Sequence, residues 1–93
     1  MHYLDNAATT AVAPEVITAV TRTMEEHFGN PSSLYAIGAY SEQVMEKARA
    51  QLAKALGCQA AQVYFTACGS ESNNIALQGA AAARKKWGRH MVC

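Results

Sequence analysis

The chain has 93 residues, of which 51% are hydrophobic and 16% charged, and its formal net charge is +1. This composition is typical of a globular protein, and the lack of a basic excess argues against nucleic acid as a partner. No apolar run reaches the roughly 20 residues that span a bilayer, and the N-terminus has no secretory signal pattern, so we expect no membrane partner.

The first predicted helix begins at Pro14, after a short extended segment at 2–4 and a turn followed by a loop at 5–13. Proline suits the first position of a helix, and Glu15 places a negative charge in its first turn. The apolar residues then recur at helical spacing and give the helix one apolar face, which we expect to end near residues 26–27. These residues are Val16, Ile17, Val20 and Met24.

A loop rich in Gly, Asn, Pro and Ser at 28–33 leads into a second, longer predicted helix. Its charged residues fall largely on one side, which predicts a solvated surface, and Gly57 suits the position just after its end. The apolar face of this helix consists of Ile37, Tyr40, Val44, Ala48, Leu52, Ala55 and Leu56.

The run from Val63 to Thr66 is β-branched and aromatic, which predicts a buried strand. Small residues follow it, and an alanine-rich helix is predicted to begin near Glu71 and to stop at Gly88. The residues from 89 to 93 begin to resemble another strand.

Two interpretations of the turn between this strand and this helix remain open. The first N–H groups of a helix have no internal partner and carry partial positive charge, so Gly69 and Ser70 can form an anion site. Alternatively, this is an ordinary strand-to-helix turn in which Ser70 caps the helix. Cys68, beside the helix start, is either a reactive thiol or a buried or inert one.

Three motifs occur in order along the chain: Tyr3-Leu4-Asp5-Asn6-Ala7-Ala8-Thr9-Thr10, Phe28-Gly29-Asn30-Pro31-Ser32-Ser33, and Phe65-Thr66 through Gly69-Ser70-Glu71-Ser72-Asn73-Asn74. Together they closely resemble the start of the cysteine desulfurases, pyridoxal phosphate enzymes of the aminotransferase class V family. The resemblance spans essentially the whole chain. It departs at the turn, where the family usually has Thr-Ser-Gly-Gly-Thr-Glu and this chain has Cys68 for a glycine and Ser70 for the threonine.

The resemblance implies an α/β fold: the N-terminal part of a fold-type I, aminotransferase-like transferase with a mixed, mostly parallel sheet and flanking helices. Residues 1–93 are expected to be the N-terminal segment and the start of its large cofactor-binding domain, with the remainder absent from this chain. It further implies that Gly69 and Ser70 hold the phosphate of pyridoxal phosphate. The mouth of the active site is implied to be lined by Asn6, Ala7, Ala8, Thr9 and Asn30.

The catalytic groups of the family lie downstream of these motifs. None of the four lysines matches the lysine that binds the cofactor, and none of the cysteines matches the mobile nucleophile. We therefore expect no catalytic residue and no activity in the 93-residue chain alone. Ser41, on the second helix, is expected to have no role in cofactor binding.

The function implied for the intact enzyme is conversion of L-cysteine to L-alanine, with persulfide sulfur passed to an acceptor or scaffold protein for iron–sulfur cluster assembly. Its active site is implied to lie at a homodimer interface. Two alternatives remain open: a selenocysteine lyase of the same family, and a non-catalytic piece that acts only by assembling with a complementary downstream chain.

The cysteines, Cys58, Cys68 and Cys93, are odd in number and lack metal-ligand spacing. We expect a reducing, cytoplasmic compartment and no metal site. The chain ends within an apolar run, which favours a truncated, nicked or split enzyme.

Overall fold

The computed structural model describes residues 1–92 and contains three helices joined by loops. Helix α1 spans Pro14–Glu26, helix α2 spans Ala36–Leu56, and helix α3 spans Gly69–Arg84. A short 3₁₀ turn, Ala60–Gln62, lies between α2 and α3. The helix predictions are therefore confirmed in order and approximate place, although α3 begins two residues before Glu71 and ends at Arg84 rather than at Gly88.

Helix α1 begins as predicted, with Pro14 in its first turn and Glu15 beside it. It ends at His27, whose backbone N–H donates to the carbonyl of Thr23 at 2.9 Å. Its predicted apolar face is present, but each of its large side chains is at least half exposed. The face therefore has no packing partner among residues 1–92.

One ion pair lies near the end of α1. The Nε of Arg22 donates to Oε2 of Glu26 at 2.8 Å, one helical turn apart. This hydrogen bond holds the pKa of the Glu26 carboxyl below its ordinary value and raises the pKa of Arg22. Both side chains are well exposed, so the pair is a surface feature of the helix.

Helix α2 ends at Gly57, which adopts a left-handed conformation with φ of 69°. The N–H of Cys58 donates to the carbonyl of Ala53 at 3.0 Å, and the N–H of Gly57 donates to Lys54. This is the Schellman arrangement, which satisfies carbonyls at the helix end and favours glycine because φ is positive. The prediction that Gly57 stops the helix is confirmed.

The 3₁₀ turn after α2 packs back against that helix, and they are the only two of these elements in residues 1–92 that pack together. Reciprocal hydrogen bonds between Gln59 and Gln62 hold the turn closed. Ala53, on α2, is the one buried hydrophobic residue among residues 1–92, so the contact between α2 and the 3₁₀ turn is the hydrophobic core of the described residues.

The loop at 28–33 lies directly on the first turns of α2. Ser41 is buried, and its hydroxyl is shared between the carbonyls of His27 and Ile37, at 3.0 and 3.1 Å. The ring of His27 packs edge-on against the ring of Tyr40, with 4.6 Å between the ring centres. The loop and the helix therefore form one local unit, and Ser41 is a structural strut rather than a surface residue.

The strand predicted from Val63 to Thr66 is not formed. Val63 has extended backbone angles, but the segment pairs with no other segment in residues 1–92. The strand predicted near the C-terminus is likewise absent over 89–92, and Cys93 lies outside the described residues. A strand needs a hydrogen-bonded partner, and residues 1–92 supply none, so the sheet expected for the fold class is not observed here.

The described chain is open rather than compact. Its accessible surface is 8547 Å², against about 5,200 Å² for a folded monomer of this mass. Its radius of gyration is 17.9 Å, against about 12 Å for a compact domain of this length. None of the helices over residues 1–92 is both long and apolar enough to cross a membrane.

Candidate functional site

The turn from Thr66 to Asn74, here called the 66–74 turn, joins the extended segment to α3 and carries a dense set of local hydrogen bonds. The Thr66 hydroxyl donates to the carbonyl of Cys68 at 3.1 Å. It also lies 2.6 Å from the hydroxyl of Ser72. Because each hydroxyl has one proton, the Ser72 hydroxyl is the donor of that second bond. Thr66 is thereby tied to both sides of the turn.

Two more side chains close the turn. The Glu71 carboxylate accepts a hydrogen bond from the N–H of Ala67 at 2.8 Å, much as in a capping box. The Asn74 side-chain amide donates to the carbonyl of Ser70 at 2.9 Å. The Asn74 side chain thereby braces the first turn of the helix.

The cap of α3 is Cys68 and not Ser70. Cys68 has extended backbone angles and makes no side-chain capping bond, and Gly69 and Ser70 already lie in the first helical turn. The interpretation in which Ser70 caps the helix is wrong, because the helix begins at Gly69, two residues before the expected start near Glu71. Cys68 is exposed with a free thiol, so of the alternatives for this residue the buried thiol is excluded.

The turn leaves a set of donors unused. Within residues 1–92, no hydrogen bond uses the N–H groups of Gly69 and Ser70 or the Ser70 hydroxyl. A Cβ built on Gly69 meets no atom within 4 Å, so the space beside that backbone is open. Free N–H groups, a hydroxyl and open space at a helix N-terminus are what a phosphate group requires.

The charge at this turn is mixed. The positive end of the α3 dipole favours an anion, but the Glu71 carboxylate in the first turn offsets part of that field. Hydrogen bonds from the backbone and from Ser70, rather than net charge, are therefore the main attraction that this turn offers to a phosphate.

The other predicted site residues lie in two separate loops. Asn6, Ala7 and Ala8 form an exposed turn in which the N–H of Ala8 donates to the carbonyl of Asp5 at 3.1 Å. The Asn30 side-chain oxygen accepts the N–H of Ser32 at 2.9 Å, so it organises its own loop. Among residues 1–92 no hydrogen bond joins either loop, or Thr9, to the 66–74 turn.

One residue that the sequence did not single out contacts the approach to this turn. Arg49, on α2, donates from Nη1 to the carbonyl of Val63, and its guanidinium lies 4.8 Å from the centre of the Phe65 ring. Nothing in the local sequence marks it, because an arginine on a charged helix face resembles a solvated residue. The described residues contain no cluster of three or more His, Cys, Asp or Glu that suits a metal ion.

The aminotransferase class-V family model matches residues 2–93, so the chain belongs to that family. Enzymes of this family generally depend on pyridoxal phosphate. No solved structure matches the chain.

Curated relatives point the same way. The chain is 46% identical over 90 residues to "Cysteine desulfurase IscS" of Methanosarcina thermophila, covering 97% of this chain and 22% of that protein. It is 42% identical over 90 residues to the protein of that name from Dictyoglomus turgidum, covering 97% and 23%. It is 39% identical over 92 residues to a "NifS/IcsS protein homolog" of Lactobacillus delbrueckii, covering 99% and 24%. The chain thus spans less than a quarter of the length of these relatives.

Proposed function

We propose that residues 1–93 are the N-terminal part of a pyridoxal phosphate-dependent cysteine desulfurase, here called the full-length enzyme. The observation that carries this proposal is the 66–74 turn, with its free donors, in a chain similar to relatives named cysteine desulfurase. The full-length enzyme converts L-cysteine to L-alanine and transfers the sulfur as a persulfide to an acceptor or scaffold protein for iron–sulfur clusters. The cofactor supplies the electron sink for this chemistry when bound.

In this proposal Gly69 and Ser70 hold the cofactor phosphate. Gly69 presents a bare backbone N–H beside open space, and Ser70 adds a second N–H and a hydroxyl. The hydrogen bonds of Thr66, Glu71 and Asn74 fix the turn before the phosphate arrives. Because the turn is already ordered, the protein loses less conformational entropy when the phosphate binds.

The two remaining loops contribute the mouth of the active site in the same proposal. Asn6, Ala7, Ala8 and Thr9 form one side of the mouth, and Asn30 belongs to the other loop. The full-length enzyme has the fold-type I architecture, in which residues 63–66 become a strand of a mostly parallel sheet, and it works as a homodimer in the cytoplasm. The exposed apolar face of α1 supports the view that further protein surface covers this part of the chain.

The phosphate site is tested by cofactor retention in the full-length enzyme. Ser70→Ala removes one charge-assisted donor and should weaken retention about ten- to a hundred-fold. Gly69→Val should weaken it more, because a β-branched side chain fills the space beside the backbone. Pyridoxal phosphate loss during dialysis is followed by absorbance.

Thr18→Val is the matched control, because the Thr18 hydroxyl is exposed and bonds only within its own helix, to the carbonyl of Pro14. Ser41→Ala is unsuitable as a control because Ser41 is buried. If Ser70→Ala and Thr18→Val retain the cofactor equally well, the phosphate is held elsewhere.

The reaction itself is tested by the products. The full-length enzyme should release sulfide and alanine from L-cysteine in the presence of a reductant. A strong preference for selenocysteine would make it a selenocysteine lyase. Inactivity of the purified full-length enzyme with both substrates would favour a non-catalytic role in assembly. The 93-residue chain alone should release no sulfide, because none of its lysines matches the cofactor-binding lysine of the family.

A further inference from the structure

Arg49 joins helix α2 to the segment that enters the 66–74 turn. Its side chain is mostly buried, with 19% of its surface exposed. The Nη1 atom donates to the carbonyl of Val63, and the guanidinium carbon Cζ lies over the Phe65 ring, 4.8 Å from the ring centre. One side chain therefore holds both the backbone and a side chain of the same segment.

The guanidinium is itself held from the other side. Its Nε atom donates to the Glu46 carboxylate at 3.0 Å, three residues earlier on α2. Arginine suits this combination, because its fork of N–H donors can bond to the carbonyl and the carboxylate while its charge lies over an aromatic ring. A lysine at this position would reach either the carbonyl or the ring.

The contacts continue into the phosphate-binding turn. Thr66 follows Phe65 directly, and its hydroxyl is tied to Cys68 and Ser72 on either side of the helix start. Within residues 1–92 the segment 63–66 has no ladder partner. Arg49 is thus the side chain through which α2 fixes the direction of the chain just before Gly69.

We propose that Arg49 is a positioning residue that aligns the Gly69–Ser70 donors for the cofactor phosphate. This inference rests on the proposed function, since it assumes the phosphate lies at that turn. Arg49 lies on a helix, outside the three sequence motifs, and would contribute to the affinity for the cofactor.

The test compares three variants of the full-length enzyme: Arg49→Met, Arg49→Lys and Lys47→Met. The dissociation constant of pyridoxal phosphate is measured by equilibrium dialysis of the cofactor-free protein, and the ³¹P resonance of the bound phosphate reports its hydrogen bonding. Thermal unfolding of the cofactor-free protein measures stability separately. Lys47→Met is the control, because it removes an exposed cation from the same helix.

Arg49→Met should raise the dissociation constant about ten-fold and shift the ³¹P resonance. Arg49→Lys should restore part of the affinity, since it keeps one donor but loses the stacking. Lys47→Met should change neither quantity. A lowered unfolding temperature for Arg49→Met with an unchanged dissociation constant and resonance would overturn the proposal, because Arg49 would then act only on stability.

Ser70→Ala in the same assay distinguishes failure of the phosphate site from failure of the Arg49 proposal. If Ser70→Ala weakens binding and Arg49→Met does not, the Arg49 proposal fails alone. If Ser70→Ala has no effect, the phosphate site fails and the Arg49 proposal fails with it. Should Arg49→Met not fold, Phe65→Leu removes only the stacking partner and should raise the dissociation constant about three-fold; no change would overturn the proposal.

Discussion

Gly38 lies where the 28–33 loop crosses the first turn of α2, and its lack of a side chain allows the two backbones to approach. A Cβ at this position would lie 2.5 Å from the carbonyl oxygen of Ser33 and 2.6 Å from that of Asn30. Both atoms belong to the backbone, so neither can rotate away. The loop that carries Asn30 can therefore lie this close to the helix only because residue 38 has no side chain.

Gly38→Ala in the full-length enzyme should lower the free energy of unfolding by about 1–3 kcal/mol, the usual cost of overpacking. Urea unfolding measures the effect. Gln43→Ala is the control, because Gln43 is exposed on the same helix and should change stability little. Equal stabilities of the two variants would show that the loop has room to move.

Arg22→Gln should raise the pKa of Glu26, because it removes the hydrogen bond and charge that hold that pKa below its ordinary value. A lowered carboxyl pKa contributes stability above the ordinary pKa, and this contribution is lost as the pH falls through the lowered value. An NMR titration of the Glu26 carboxyl in both proteins measures the shift. Identical titration curves would mean that the pair does not persist in solution.

Single-residue roles were predictable where they depend on neighbours in the sequence, and not otherwise. Gly57 was identified because helix ends favour glycine in the left-handed conformation, which the structure shows. The burial of Ser41 was not predicted because its partner, the carbonyl of His27, lies 14 residues away. Arg49 was missed for the same reason, since Val63 is equally distant along the chain.

At the scale of whole elements, helix α3 has an incompletely capped start. Cys68 occupies the cap position but makes no capping bond, because a thiol is a weak hydrogen-bond acceptor. The Glu71 carboxylate compensates in part through the N–H of Ala67. The helix therefore begins with free backbone donors, which is the property that the proposed phosphate site uses.

Cys68→Ser should stabilise the cofactor-free full-length enzyme by about 0.5–1 kcal/mol, because serine is among the preferred cap residues. Chemical unfolding measures the gain. Cys58→Ser, which lies beyond the end of α2, is the matched control and should bring no such gain. A destabilised Cys68→Ser variant would indicate that the thiol makes contacts outside residues 1–92.

Helices were predictable at this scale and strands were not. Helical hydrogen bonds close within four residues, so the apolar spacing and the end signals in α1 and α2 contain the needed information. A strand at residues 63–66 depends on a partner elsewhere, and the chain described here supplies none. The turn before α3 was expected at the right place in the sequence, while the cap lies at Cys68 rather than at Ser70.

At the scale of the molecule, apolar side chains remain largely in contact with water. Ala53 is the only buried hydrophobic residue over the described range, and Phe28, Leu34 and Trp87 are more than two-thirds exposed. Large apolar areas on a protein surface generally mark interfaces with further protein. The relatives are more than four times as long as this chain. In the proposed full-length enzyme, the additional chain supplies the surface that covers these side chains.

The 93-residue chain by itself should bind the dye ANS, associate as its concentration rises, and unfold without a cooperative transition. Dye fluorescence, sedimentation and a thermal scan measure these three properties, with the full-length enzyme as the control. A monomer with a sharp unfolding transition would contradict the expectation and identify residues 1–93 as a self-sufficient domain.

The hydrogen bonds of this chain join residues that are close in the sequence, and this affects how fast its structure forms. Among residues 1–92, side-chain hydrogen bonds join residues at most 14 positions apart, and most join residues within six. Such local structure forms within microseconds, whereas pairing of distant strands takes milliseconds or longer. The helices therefore assemble well before anything can cover them. In that interval the apolar faces of the helices are exposed to water, and transiently exposed apolar surface of this kind is prone to aggregation.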